Sequence, residues 1–128
     1  MTEDRRQKAL EILRESFSSK IIEEMKASAG ETTFCSEIGN LAFENVFAGL
    51  WARPGLDRRA RSLVTLGILI ALRSEEELKV HSVAAIANGL SIQELEEVIY
   101  HASGYAGFPA ANSARMMAVA GLKKEGLI

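Results

Sequence analysis

Ser74-Glu75-Glu76-Glu77-Leu78-Lys79-Val80-His81-Ser82-Val83-Ala84-Ala85-Ile86-Ala87-Asn88-Gly89 reads as a single helix with both ends marked. Serine at the cap and glutamate three residues later form the pattern of a capping box, in which the two side chains satisfy free amides of the first turn. Gly89 supplies the stop, because glycine tolerates the left-handed backbone that commonly ends a helix. Within this helix Glu77 and His81 are four residues apart and share one face. Histidine is the side chain best suited to move a proton near neutral pH. The same stretch therefore bears on both the fold and the chemistry.

Similar punctuation recurs on either side. Upstream, Asp57 caps a helix over about 58–73, and Pro54-Gly55 forces a turn before it. A helix over about 5–27 carries Leu10, Leu13, Phe17, Ile21 and Met25 on one stripe, with Ala29-Gly30 closing it. Thr32-Thr33 offers caps for another, which runs to Trp51 with Ile38, Leu41, Phe43, Val46, Phe47 and Leu50. Downstream, Ser91-Ile92-Gln93-Glu94 repeats the capping-box pattern for a helix to about Ser103. Pro109 suits the first turn of a last helix, which ends at Lys123-Lys124 near Gly126. Runs of strand-like alternation are missing. The expectation is an all-α, six-helix, single domain over 1–128 with short connections.

Fifteen Lys and Arg against seventeen Asp and Glu leave the chain near neutral, which argues against nucleic acid as a partner. Cys35 is the lone cysteine, so no intramolecular disulfide or CxxC pair exists, and this usage fits a reducing cytoplasm. It reads as a small buried or half-buried hydrophobe. The charged N-terminus, Met1-Thr2-Glu3-Asp4-Arg5-Arg6, lacks the apolar core of a signal peptide. The apolar run from Leu63 to Leu72 is about half a membrane span, so no membrane association is expected. Beyond Ser62 that helix is apolar all round, which implies burial on several sides and self-association into a homo-oligomer. Its first turn bears Arg58, Arg59 and Arg61, an unfavourable charge for a helix N-terminus. At least one of them is expected to face an anion or to be left to solvent.

For His81 the functional reading is a general acid or base, with Glu77 raising its pKa and orienting it. The alternative is a structural histidine beside a glutamate already used by the cap. His101, near the end of its helix, reads as structural. Arg53 and Arg61 could clamp a substrate carboxylate in bidentate fashion, or form helix-terminal or intersubunit salt bridges. Tyr105 and Asn112, flanking Gly107 and Pro109, could hydrogen-bond a ligand or satisfy the turn. No phosphate loop, zinc-protease motif or carboxylate cluster at metal spacing is present, and neither a metal nor a cofactor is indicated.

The blocks Trp51-Ala52-Arg53-Pro54-Gly55-Leu56, Arg61-Ser62-Leu63, Glu76 to His81, Ala84-Ala85, Asn88-Gly89 and Tyr105 to Asn112 resemble the carboxymuconolactone decarboxylase family of the alkylhydroperoxidase D-like superfamily. The resemblance is strongest over 44–120. It implies an alkylhydroperoxidase D-like helical bundle, trimers or hexamers, and pockets near subunit contacts. The peroxidase branch has a CxxC pair seven and four residues before the shared histidine. Those positions here are Ser74 and Glu77, which excludes thiol peroxidase chemistry. The decarboxylase branch, which needs no cofactor, places an arginine two residues after the histidine and a second asparagine before Asn88. Here they are Val83 and Ala87, which implies a pocket short of one cation.

Together these readings suggest a cofactor-independent lyase in aromatic compound catabolism, acting on a small unsaturated lactone or keto acid. His81 and Glu77 would be catalytic, and Trp51, Arg53, Arg61, Tyr105 and Asn112 would bind substrate. The alternatives are an isomerase or other proton-shuttling enzyme on a less charged substrate, and a non-catalytic small-molecule binding or scaffold oligomer.

Overall fold

The computed structural model describes residues 2–30 and 34–128. Its elements are α1 (Glu3–Ser16), α2 (Ser19–Gly30), α3 (Ile38–Ala42) running into a π-helical stretch (Phe43–Trp51), α4 (Arg58–Leu72), α5 (Glu75–Ala87), α6 (Ile92–Ala106) and α7 (Phe108–Lys124). No strand occurs among the described residues, so the all-α class holds. The chain falls into two compact units, 1–56 and 57–128.

The first unit departs most from the periodicity. One long helix was expected over 5–27. Instead Phe17 takes an extended backbone, with φ −121° and ψ 138°. Ser18 Oγ then accepts from the Ile21 amide at 3.2 Å and starts α2 as a new helix. The apolar stripe runs through this break, and so hides it. The helix expected to reach Trp51 is likewise not uniform, since from Phe43 onward it widens to π geometry. Phe17 meets Phe47 edge to face at 6.0 Å, and Phe47 stacks on Trp51 at 6.3 Å, which joins α1 to the π stretch. Cys35 is exposed with φ 55°, so the expectation of a buried thiol is wrong. Thr32 and Thr33, expected as caps, and the side chain of Met25 lie outside the described residues.

The second unit follows the sequence closely. Asp57 caps α4, its carboxylate accepting from the Ala60 amide at 2.8 Å. α4 and α5 form a hairpin whose register is set by a hydrogen bond from Asn88 Nδ2 to the buried Ser62 Oγ, at 3.0 Å. At the elbow Arg73 adopts a left-handed backbone, φ 56°, where glycine would be less strained. Its Nη2 donates to Ser113 Oγ at 3.4 Å, and Ser113 Oγ donates to Glu75 Oε1 at 3.3 Å, tying the elbow to α7. Gly89 and Gly107 close α5 and α6 with φ 108° and 95°.

α5 and α7 pack closely. An added Cβ at Gly121 would lie 2.3 Å from the Lys79 carbonyl oxygen, so the two backbones touch there. Ala110, Ala111, Ala114 and Ala118 on α7 are buried, and their small size permits the approach. The buried aliphatics of this unit include Leu66, Ile70, Leu78, Leu90, Leu95 and Leu122.

α4 is less enclosed than its composition suggests. Only Ser62, Leu66 and Ile70 are buried, while Val64, Ile68 and Leu72 are each more than half exposed. These three recur at four-residue spacing and form one outward apolar ridge.

Candidate active site

α5 places Glu77 and His81 one turn apart, with Glu77 Oε2 3.6 Å from His81 Nε2. The imidazole side chain is 12 % exposed and the carboxylate 62 %. At 3.6 Å the contact is too long for a good direct hydrogen bond, and a water can bridge it. Ser74 makes no side-chain capping bond, so the expected capping box at α5 does not form. Glu77 is therefore not used by the cap. By contrast the box at α6 is complete: Ser91 Oγ accepts from the Glu94 amide at 3.0 Å, and Glu94 Oε1 accepts from the Ser91 amide at 3.0 Å.

Burial pulls the His81 pKa down from 6.5 to about 4. The expectation that Glu77 would raise it is overturned. Removing the ring from water disfavours its cation, while the field of a mostly hydrated carboxylate is screened. Near neutral pH the imidazole is accordingly uncharged.

The hairpin register locates Arg61 relative to this pair. Asn88 lies opposite Ser62 and is seven residues beyond His81, or about 10 Å of helix. Arg61, next to Ser62, sits at the Asn88 end of the hairpin and is half-buried, with Nε screened from water. Arg59, in the same first turn, pairs with Glu94. One arginine of that unfavourable cluster thus has an anion supplied by the chain itself. Val83, at the position of the family's arginine, is 7 % exposed. Two residues along a helix is a rotation of about 200°, so Val83 points away from the His81 face. Within one chain this departure alters the core; it does not strip a cation from beside the histidine.

The remaining candidates are dispersed. Asn112 is exposed in the first turns of α7. Tyr105, 87 % exposed, stands 5.2 Å from His101, centroid to centroid, on α6. Both line a groove of about 850 Å³ between α4 and α6, walled by Leu63, Gly67, Val98 and Ala102. That groove does not include His81. Trp51 is buried and Arg53 exposed in the first unit. Among the described residues no group of three or more His, Cys, Asp or Glu is arranged to hold a metal ion. No helix among them is long and apolar enough to cross a membrane.

Sequence reasoning missed the Ser62–Asn88 bond. The signals were a serine in an otherwise apolar run and an asparagine just before the helix-ending glycine.

These features agree with a family of helical decarboxylases. The carboxymuconolactone decarboxylase family matches residues 40–120. The 4-carboxymuconolactone decarboxylase of Acinetobacter baylyi is 37 % identical over 125 residues, covering 98 % of this chain and 92 % of that protein. The nitrosuccinic acid decarboxylase of Metarhizium robertsii is 40 % identical over 79 residues, covering 62 % of this chain and 55 % of that protein. The chain belongs to the carboxymuconolactone decarboxylase family.

Proposed function

We propose that the protein is a cofactor-independent carboxy-lyase acting on a small unsaturated lactone or keto acid, with His81 as the proton donor. The observation that carries this reading is the Glu77–His81 pair, a dry imidazole beside a wet carboxylate. The name of the first relative supports the lactone, while nitrosuccinic acid, neither a lactone nor a keto acid, supports only the loss of a carboxylate. A carboxymuconolactone and nitrosuccinic acid each hold a carboxylate on a framework that can accept an electron pair, into an unsaturated lactone or a nitro group.

In the proposed reaction the bond to the departing carboxylate breaks and its electron pair enters the conjugated system. Carbon dioxide leaves, and the dienolate takes a proton from the imidazolium. His81 is neutral in the free protein, so it acquires that proton with the substrate: a bound anion favours the charged ring. Glu77, in contact with solvent, relays that proton inward as the substrate binds, so the ring is neutral again once it has protonated the dienolate. Low polarity around the ring disfavours the carboxylate before it leaves. Arg61, on the same hairpin, holds a retained carboxylate. Tyr105 and Asn112 remain candidate substrate contacts. Incubation with 4-carboxymuconolactone tests the reading directly, because one equivalent of carbon dioxide must appear per substrate consumed. Solvent deuterium incorporation without mass loss would instead mark an isomerase.

Glu77→Gln is expected to slow turnover less than loss of the histidine. It should also move the high-pH limb of the activity profile to lower pH. The sign follows from charge: in the free protein water screens the carboxylate, but a substrate covering the pair displaces that water, so removing the carboxylate then disfavours imidazolium and the complex loses its acid form earlier as pH rises. An unchanged limb in the pH–rate profile would remove Glu77 from the mechanism.

Self-association belongs to the same proposal. The ridge of Val64, Ile68 and Leu72 is apolar surface that a second copy would cover. Light scattering at micromolar concentration should give a multiple of 13.9 kDa. A monomer would mean that the ridge stays in water.

A further inference from the structure

A second cleft, of about 220 Å³, lies between α6 and α7. Its floor is Leu95, Ala118 and Leu122, all buried, and Ile92, Ile99 and Val119 form its walls. Water in such a space would lack the two to four polar partners that hold a buried water in place. The cleft is below the roughly 300 Å³ at which drug-sized pockets begin, so its occupant is small.

Polar chemistry is confined to the mouth. Glu96 from α6 and Arg115 from α7 are exposed there, together with the exposed Tyr100. The ion pairs Arg59–Glu94 and Lys79–Glu76 of this unit use neither of these two opposite charges. A simple carboxylic acid would meet Arg115 but also the like charge of Glu96. A simple amine would meet the reverse. A molecule carrying both charges beside an apolar group meets each with its complement.

We infer that the cleft between α6 and α7 binds a small apolar α-amino acid, whose side chain fills the aliphatic floor while its carboxylate faces Arg115 and its ammonium faces Glu96. The inference is independent of the carboxy-lyase reading, since neither Glu77 nor His81 lines this cleft. Tyr100 adds a phenol beside the charged groups and can donate to the ligand carboxylate.

Titration calorimetry on the full chain tests it with L-leucine as the probe. Saturable binding tighter than about 1 mM is expected. 4-Methylpentanoate, which lacks the ammonium, and 3-methylbutylamine, which lacks the carboxylate, should each bind at least about tenfold more weakly. Glu96→Gln and Arg115→Gln alter exposed side chains and leave the core intact; each should weaken leucine by a similar factor. His81→Gln should bind leucine like the wild type. The inference is overturned if leucine fails to saturate, if 4-methylpentanoate matches it, or if Arg115→Gln binds it undiminished. Loss of leucine binding in His81→Gln would also overturn it, by placing the ligand at the catalytic pair.

Discussion

His81→Gln is expected to abolish turnover by at least about a hundredfold while leaving the helices and the assembly intact, the usual worth of a positioned acid or base. Glutamine fills much of the same space and keeps a hydrogen-bonding end, so circular dichroism and light scattering should match the wild type. The same variant should show a second difference. In the folded chain the ring titrates near 4, against 6.5 when water surrounds it. Between these values the unfolded chain binds the extra proton, so wild-type stability falls as pH drops from 6.5 towards 4. The full effect is on the order of 3 kcal/mol. His81→Gln lacks this proton and should lose less stability over that window in denaturant titrations at pH 7 and pH 5. Near-normal turnover in the variant would end the catalytic assignment. Equal acid sensitivity of the two proteins would show that the ring is not held neutral by burial.

Gly121→Val should be the most damaging single change to the second unit. Its first side-chain atom would fall 2.3 Å from the Lys79 carbonyl oxygen, a backbone atom that cannot rotate aside. α7 would have to lift off α5, opening space around Ala114 and Ala118. Overpacking of this kind costs about 1–3 kcal/mol and occasionally more, a large share of the stability of a small protein. Gly121→Ala should cost less than valine but still measurably, since the clash begins at Cβ. Thermal unfolding of both variants checks the ordering; an alanine variant as stable as the wild type would show that the two helices have room to spare.

Most of the second unit was legible because its ends are marked chemically. Asp57, Ser91, Gly89, Gly107 and Pro109 lie where the structure starts or stops its helices. The first unit was not legible to the same degree. Periodicity detects a stripe, and the stripe through Phe17 and Ile21 survives a break in the backbone. The π stretch leaves no simple mark, because a slight widening barely changes which residues share a face. Glu77 and His81 were found from their spacing, whereas the state of the ring was not. Spacing shows that a carboxylate is near; burial decides whether its charge counts. The failed capping box at Ser74 has the same lesson, since a residue pattern permits a bond without compelling it.

The exposed ridge on α4 makes protein concentration a control variable. If a second copy covers Val64, Ile68 and Leu72, folding and assembly are linked by mass action, and the melting temperature should climb as the protein is concentrated. An assay at nanomolar enzyme and a melt at micromolar protein would then sample different species. Activity lost on dilution and regained on concentration would be the kinetic signature of that linkage. Any comparison of variants should therefore hold protomer concentration fixed.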